Sequence, residues 1–579
     1  MSMLTNDPKA RAMADPKVKL VTEPLDDEDR ASNPDIIKDE SEKHPSDSQD
    51  DLQVAGSHDE IVYHYMTFDT EIPSPAYLSS SPCSLDERPA ATPQPDLTAF
   101  ISPFLWSRQR KNLITWLSCA ATIVTAYTAG SYASGIDQMS AEWRVSNIAV
   151  TVGITVFTAG FAIAPMFLAP FSEIHGRRSI FIGTGCLFVL FQLVCSLTPT
   201  YAGMLVARFL TGCVSSTFST MVGGVVSDIY HAEQRNTAMS LFSGAALFGT
   251  GLGPLFSGLV AQHTTWRWIF YLQVITCGLM MILIVIFFKE TRGSVLLSRK
   301  AKTLNTWMEQ LESEGHFGMM MPASSSKASQ RIRWKVKSDE ERTTLGRSIA
   351  ISLYRPFHLL FTEPVVFFFS LWISFSWAVL YLTFSAIPLV FTESHGFNLE
   401  QNGAVFTAIS VASLISTVVS IAQERLARQY LKGKRRQMLD TPEGRLFFSC
   451  VQSALLPIGC FWFGWTSFPS DHWILPTLAI GCATMGIFSI YLAVFNYLAD
   501  TYHRYASSAL AAQSFCRNML GGAFPLFTAQ MFRKMTFQGA GSFLGGLGAL
   551  LTIVPWVLVF YGPKIRARSR FASEIMEKD

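Results

Sequence analysis

The chain has 579 residues, 49% of them hydrophobic and only 16% charged, a balance that excludes an ordinary soluble domain and points to a polytopic membrane protein. Its net charge of +2 hides a segregation: residues 1–100 carry 21 Asp and Glu against 8 Lys and Arg, which leaves 23 acids and 38 bases for the remainder. Ten cysteines without a CxxC or CxxH spacing read as packing residues, not as a disulfide framework or a metal site. The eleven histidines are dispersed, and no HExxH, GxSxG or P-loop occurs, which argues against an enzyme.

In chain order, residues 1–100 are rich in Asp, Glu, Ser and Pro, including the run Asp26-Asp27-Glu28-Asp29. Such a segment cannot bury enough apolar surface to offset its ordering entropy, so a disordered acidic cytoplasmic tail is expected. No charged-then-apolar leader opens the chain, and the first membrane helix is expected to serve as the targeting signal. Apolar stretches of roughly 20 residues, the length that crosses a ~30 Å hydrocarbon core, then recur. Their approximate spans are 113–135, 148–170, 179–199, 202–226, 238–260 and 268–288, then 365–390, 402–422, 446–466, 473–498, 508–531 and 543–562.

These spans predict an all-α membrane protein of twelve transmembrane helices. Two six-helix bundles, 101–288 and 365–562, are joined by a central loop, 289–364, and followed by a tail, 563–579. The central loop holds basic clusters, a Ser-rich patch at 324–326 and an amphipathic piece near Leu304–Leu311 expected to lie on the membrane surface. With both termini in the cytoplasm, the connections richest in cations (Gly176-Arg177-Arg178, the central loop, and Lys432 to Arg436) all fall inside, as the positive-inside rule requires.

Several motifs follow one another in order. Ala169-Pro-Phe-Ser-Glu173-Ile-His-Gly176-Arg177-Arg178 joins the second and third spans. Leu205-Val-Ala-Arg208-Phe-Leu-Thr-Gly212 lies in the fourth, and Gly249-Thr-Gly251-Leu-Gly253-Pro254-Leu-Phe-Ser-Gly258 in the fifth. Trp266-Arg267-Trp268, Glu290-Thr-Arg292, Pro442-Glu443-Gly-Arg445, Asn496-Tyr497-Leu-Ala-Asp500-Thr-Tyr502 and Arg517 through Pro525 complete the series. Over residues 100–570 the chain resembles the major facilitator superfamily, and within it the fungal twelve-spanner drug:proton antiporters that include polyamine, multidrug and toxin exporters. The loop motif departs from that family in beginning with Ala and in placing Glu173 where Asp is usual.

The resemblance implies two pseudo-symmetric bundles and a cavity lined by helices 1, 4, 7 and 10. It also implies a plasma-membrane monomer that takes a small-molecule substrate and protons, with no cofactor beyond the proton gradient and no nucleic acid. The candidate substrate residues are Thr125, Thr128 and Tyr132 on the first span. The seventh adds Trp372, Ser376, Trp377 and Tyr381, and the tenth Tyr491, Asn496 and Tyr497. Aromatic rings with a few hydroxyls and an amide suit amphipathic molecules. The absence of cavity carboxylates argues against polyamines, since buried ammonium groups need anionic partners, and favours a neutral, partly aromatic compound.

Glu173, Arg177 and Arg178, with Asp228 at the end of the fourth span, are expected to form a cytoplasmic gate latch through charge-assisted hydrogen bonds; the alternative is a plain topogenic cluster. Arg208 must face a polar interior, because a guanidinium facing lipid costs ~2.5–3.5 kcal/mol on insertion scales. The resemblance ties it to proton coupling, whereas the residues alone also allow an arginine bonded to backbone carbonyls. Gly249, Gly253 and Gly258 allow close helix approach and Pro254 frees a carbonyl, which suits a seam between the halves. Arg517, Gln513 and Asn518 are expected to hydrogen-bond across helices, and Asp500 and Tyr502 to partner Arg504 or Arg517. Proton-coupled efflux is the expected activity. A nutrient importer of the same superfamily and a polyamine exporter are the alternatives, because fold does not fix direction.

Overall fold

The computed structural model describes residues 61–70, 74–75, 93–231, 234–314, 319–320, 330–340, 345–430, 441, 443–502 and 505–568. The acidic run at 26–29, the Ser-rich patch at 324–326, the cluster at 432–436, Arg504 and the last eleven residues lie outside them. Contacts divide the chain into two units. One comprises Pro103–Arg292 with Thr343–Asp579, and the other Met1–Ser102 with Gly293–Arg342.

Among its described residues the larger unit has twelve long apolar helices: α1 (Arg108–Trp143), α2 (Asn147–His175), α3 (Arg177–Leu197), α4 (Tyr201–Ile229), α5 (Arg235–His263), α6 (Arg267–Phe287), α7 (Pro364–His395), α8 (Leu399–Tyr430), α9 (Phe447–Trp465) and α10 (Ile474–Tyr502) come first. The last two, α11 (506–535) and α12 (537–568), follow without a loop and are separated at Thr536, whose φ of 64° and ψ of 167° leave helical space. Each coincides with a predicted span. The chain is helical here because a backbone in hydrocarbon must satisfy its own N–H and C=O groups. Threonines within the helices do not compete, since Thr122, Thr211 and Thr250 donate their hydroxyls to the carbonyl four residues earlier.

Packing repeats after six helices. In the first half α1 packs on α5, α2 on α4 and α3 on α6; in the second, α7 packs on α11, α8 on α10 and α9 on α12. The halves meet along α2 with α11 and α5 with α8, where the Thr155 hydroxyl donates to the Gly522 carbonyl at 2.7 Å. The helix Leu345–Thr362, inside the predicted central loop, packs against both α2 and α11.

The smaller unit corrects two expectations. Residues 61–65 do not belong to an unstructured tail: they form strand β1 (Ile61–Tyr65). Short strands β2 (Ser74–Pro75) and β3 (Met319–Met320) pair antiparallel, and β1 pairs parallel with β4 (Arg331–Lys335), Ile61 opposite Arg331 and Tyr65 opposite Lys335. The amphipathic helix Gly293–Ser313 does not spend its apolar face on lipid. Leu304, Trp307, Met308 and Leu311 are buried with Met66, Ile332 and Trp334 in one core. Asn305 fixes the register of helix on strand, donating to the Trp334 carbonyl at 2.9 Å and accepting from its N–H at 2.8 Å. Glu312 receives Arg331 and Arg333 at 2.8 and 2.6 Å. Burial opposes ionisation of Glu312, but the hydrogen bonds from the two guanidinium groups overcome it and hold the carboxyl at about 2.

Candidate functional site

At the α2–α3 turn, Gly176 adopts φ 95° and ψ 155°, a conformation open to glycine alone, and ends α2 one residue before α3 begins. The place a Cβ would occupy is taken by the carboxylate of Glu290. That carboxylate accepts from the N–H groups of Arg177 at 2.9 Å, Arg178 at 3.3 Å, Thr291 at 3.1 Å and Arg292 at 3.0 Å, an anion at a helix N-terminus. Asp228, at the end of α4, joins the Arg177 Nε at 3.3 Å and the Arg292 Nη1 at 3.2 Å, while Arg177 Nη1 donates to Ser172 Oγ at 2.7 Å.

The structure therefore brings Arg177 to Asp228, as expected, but corrects the rest of the latch. Glu173 is exposed and pairs with neither arginine. Arg178 donates to the Val285 carbonyl at 3.1 Å. The whole cluster also belongs to the first half of the chain, from α2 to the segment just after α6. The link between halves at this end is instead a polar chain: Asn496 Nδ2 donates to Asn236 Oδ1 at 2.8 Å, Asn236 Nδ2 to Glu424 Oε2 at 2.5 Å, and Arg428 Nε to Glu424 Oε1 at 3.2 Å. Asn496 thus belongs to this end and not to a central cavity. At the opposite end Glu142 accepts from the Trp266 indole and from Arg267 Nη2, both at 2.6 Å.

About two turns into α4, Arg208 is wholly buried. Tyr132 and Phe157 lie under its guanidinium at 4.5 and 4.3 Å. Its bonds to the carbonyls of Gly153 and Thr128 are long, 3.4 and 3.5 Å, and Nη2 has no partner. Thr128 and Tyr132 serve this setting and do not present free hydroxyls. The Tyr132 hydroxyl donates to the Val150 carbonyl at 3.1 Å, and that of Thr128 to the Val124 carbonyl at 3.1 Å. Thr125 is buried with its hydroxyl unpartnered.

In the second bundle Arg517 is 1% exposed and sits over the rings of Trp377 at 4.5 Å, Tyr491 at 5.0 Å and Phe495 at 5.9 Å. Trp377 stacks on Tyr491 at 5.2 Å, and Tyr381 meets Phe384 edge to face at 5.1 Å. Phe242 of α5 reaches across from the first half to Tyr491 and Phe495, both at 6.2 Å. Of the predicted aromatic residues, Trp377, Tyr381 and Tyr491 form this box. Trp372 and Tyr497 pack on Phe369 instead, and the Ser376 hydroxyl is spent on the Ile373 carbonyl. The predicted cross-helix bonds are not made: Asn518 donates to Ser514 of its own helix, and Gln513 has no partner. Tyr502 donates to Glu363 at 3.2 Å, and Arg517 has no ion pair among the described residues.

The glycine run of α5 faces two ways. A methyl at Gly249 or Gly253 would strike the backbone of α1 at Ile123 or Tyr127, whereas one at Gly251 or Gly258 would strike α8 at Phe406 or Leu399. The helix stays continuous through Pro254, and the Thr250 carbonyl that the proline leaves unbonded faces Gly130 of α1. Gly249 and Gly253 thus serve packing within the first bundle, and the seam between halves rests on Gly251 and Gly258.

Residues 118–526 match the Major Facilitator Superfamily family model. The chain belongs to the major facilitator superfamily. Among curated relatives of this facilitator, the efflux pump FUBT of Fusarium oxysporum is 31% identical over 81% of this chain and 76% of its own length. The multidrug transporter mdrA of Aspergillus fumigatus is 32% identical over 82% and 74%. The solved proton:xylose symporter XylE shares the fold, with a TM-score of 0.54 at 14% identity over 78% of this chain and 97% of that one. The chain is accordingly a multi-pass membrane transporter. In this facilitator the residues missed by sequence reasoning are Glu290, Asn236, Glu424, Phe242 and Phe495. Glu290 had a signal, since it opens a recognisable Glu-Thr-Arg motif, but its partner lies over 110 residues earlier in the chain.

Proposed function

We propose that this facilitator exports small amphipathic compounds across the plasma membrane by alternating access, driven by the proton gradient, with both termini in the cytoplasm. The observation that carries the reading is the aromatic box. It is built from α5 of one half and α7 and α10 of the other, and a site spanning the two halves near mid-bilayer is where rocking exposes a ligand to each side in turn. The names of the efflux and multidrug relatives support the outward direction. The end holding Gly176 and Glu290 is assigned to the cytoplasm from the cations in its connections.

Within this reading the Asn496–Asn236–Glu424 chain is the cytoplasmic gate, since it ties the halves together there. Arg208 serves coupling: its long carbonyl bonds and unpartnered Nη2 leave it able to take another partner when the bundles move. The test is efflux of labelled amphipathic compounds from cells expressing the chain, with and without a protonophore, alongside Arg208→Ala. Loss of efflux in both cases is expected. Net accumulation of a compound would overturn export, and efflux indifferent to the protonophore would overturn proton drive.

A further inference from the structure

Besides Arg177, which Asp228 neutralises, the membrane helices bury two guanidinium groups, those of Arg208 and Arg517, and supply no carboxylate to either. Helices α3, α5, α6, α9, α11 and α12 contain no Asp or Glu at all, and in the others every acid stands within two turns of a helix end. A buried cation without an anion is costly in low dielectric, and stacking on aromatic faces recovers only part of that cost.

The two cations are also under-bonded. Arg517 Nε and Nη1 have no hydrogen-bond partner. Gln513, one turn before Arg517 and fully buried, leaves its amide unpartnered too. Arg208 leaves Nη2 free from the first half. The unsatisfied groups are therefore overwhelmingly donors, walled by flat apolar rings. A neutral ligand would leave the charge unanswered, and an ammonium would be repelled.

We propose that the transported compound carries a carboxylate, which Arg517 binds while the aryl or alkyl body lies against Trp377 and Tyr491. The substrate class is thus a monoanionic amphipathic acid, and the ligand itself supplies the anion the helices lack. This revises the neutral substrate favoured by the sequence alone. Entry requires the bundles to part, because Arg517 is enclosed in this structure. The proposal rests on the export reading only for the direction of movement.

The experiment uses the purified full-length chain with phenylbutyrate, phenylbutyramide and phenylbutylamine, which differ only in the head group. Thermal stabilisation is measured first, on wild type, Arg517→Lys and Arg517→Gln. Phenylbutyrate alone should stabilise the wild type, Arg517→Gln should weaken that response by roughly tenfold or more, and Arg517→Lys by less, as expected for loss of a charge-assisted contact. Equal stabilisation by the amide or the amine, or an unchanged acid response in Arg517→Gln, would overturn the proposal. If the variants do not fold, the three-compound comparison on wild type decides alone. Transport in vesicles of both orientations separates the two readings. Acid movement only in the import direction would sink export and leave the substrate class standing, whereas export of the amide without the acid would do the reverse.

Discussion

Replacing Gly176 by alanine tests the charge cluster at the α2–α3 turn. Two costs can be read from the structure. The backbone at φ 95° and ψ 155° is glycine-only, and forcing a side chain into it costs about 1–3 kcal/mol. The new methyl must also displace the Glu290 carboxylate, which is then withdrawn from the N–H groups of Arg177 and Arg178. Hydrogen bonds to a charged group contribute about 1.5–3 kcal/mol each, but water reaches this end of the helices and replaces part of what is lost. A total on the order of 3–5 kcal/mol follows. At roughly 2–4 °C per kcal/mol for a unit the size of one bundle, purified Gly176→Ala should melt at least about 6 °C below wild type. Faster hydrogen exchange should be confined to the starts of α3 and of the 288–292 segment. Glu290→Ala provides the cycle: if both changes act on one contact, the double variant costs clearly less than the two singles together. A Gly176→Ala protein that melts with wild type, or a cycle that is strictly additive, would refute this account of the turn.

Three further outcomes are expected. Asp228→Asn leaves Arg177 and Arg292 without their shared charge partner and should lower stability by about 2 kcal/mol or more, whereas Glu173→Gln should change it by less than about 0.5 kcal/mol; comparable losses for the two would contradict the observed pairing. Gly258→Val drives a side chain into the α8 backbone and should abolish transport at unchanged expression, while Gly183→Ala, with open space around it, should be silent in the same efflux assay. In the smaller unit, Glu312 has a carboxyl depressed from 4.5 to about 2, so its contribution is complete above pH ~4.5 and is lost as pH falls towards ~2. Glu312→Gln imitates the protonated state at neutral pH and should speed hydrogen exchange of residues 331–335, and unchanged protection would count against the clamp.

Much of the fold is legible from hydropathy, because a membrane span must be long, apolar and helical whatever it packs against. Ten of the spans accordingly coincide with α1–α10, and the last two with the parts of the helical stretch Ala506–Ala567 on either side of Thr536. What hydropathy cannot convey is which neighbour a residue meets. Glu173 looks like the partner of Arg177 because it is four residues away, yet the chain turns at Gly176 and Asp228 and Glu290 arrive from α4 and the segment after α6. Trp372 and Trp377 appear as one stripe on α7, but only Trp377 faces Arg517. The helix Gly293–Ser313 is amphipathic in either environment, and its apolar face is covered by Ile332 and Trp334 of β4 together with Met66, a residue too remote in sequence for periodicity to reveal.

The parallel pairing of β1 with β4 sets an order on biosynthesis. All of α1–α6 lies between the two strands, so β1 leaves the ribosome long before its partner exists. At roughly 5–20 residues per second the wait is on the order of tens of seconds, during which Ile61 and Val62 have no sheet to join. The strands can meet only after six helices have been made and the chain has returned past residue 331. Formation of this small sheet therefore marks completion of the first bundle during translation, and a ribosome stalled before that point would hold a nascent chain with β1 still unpaired.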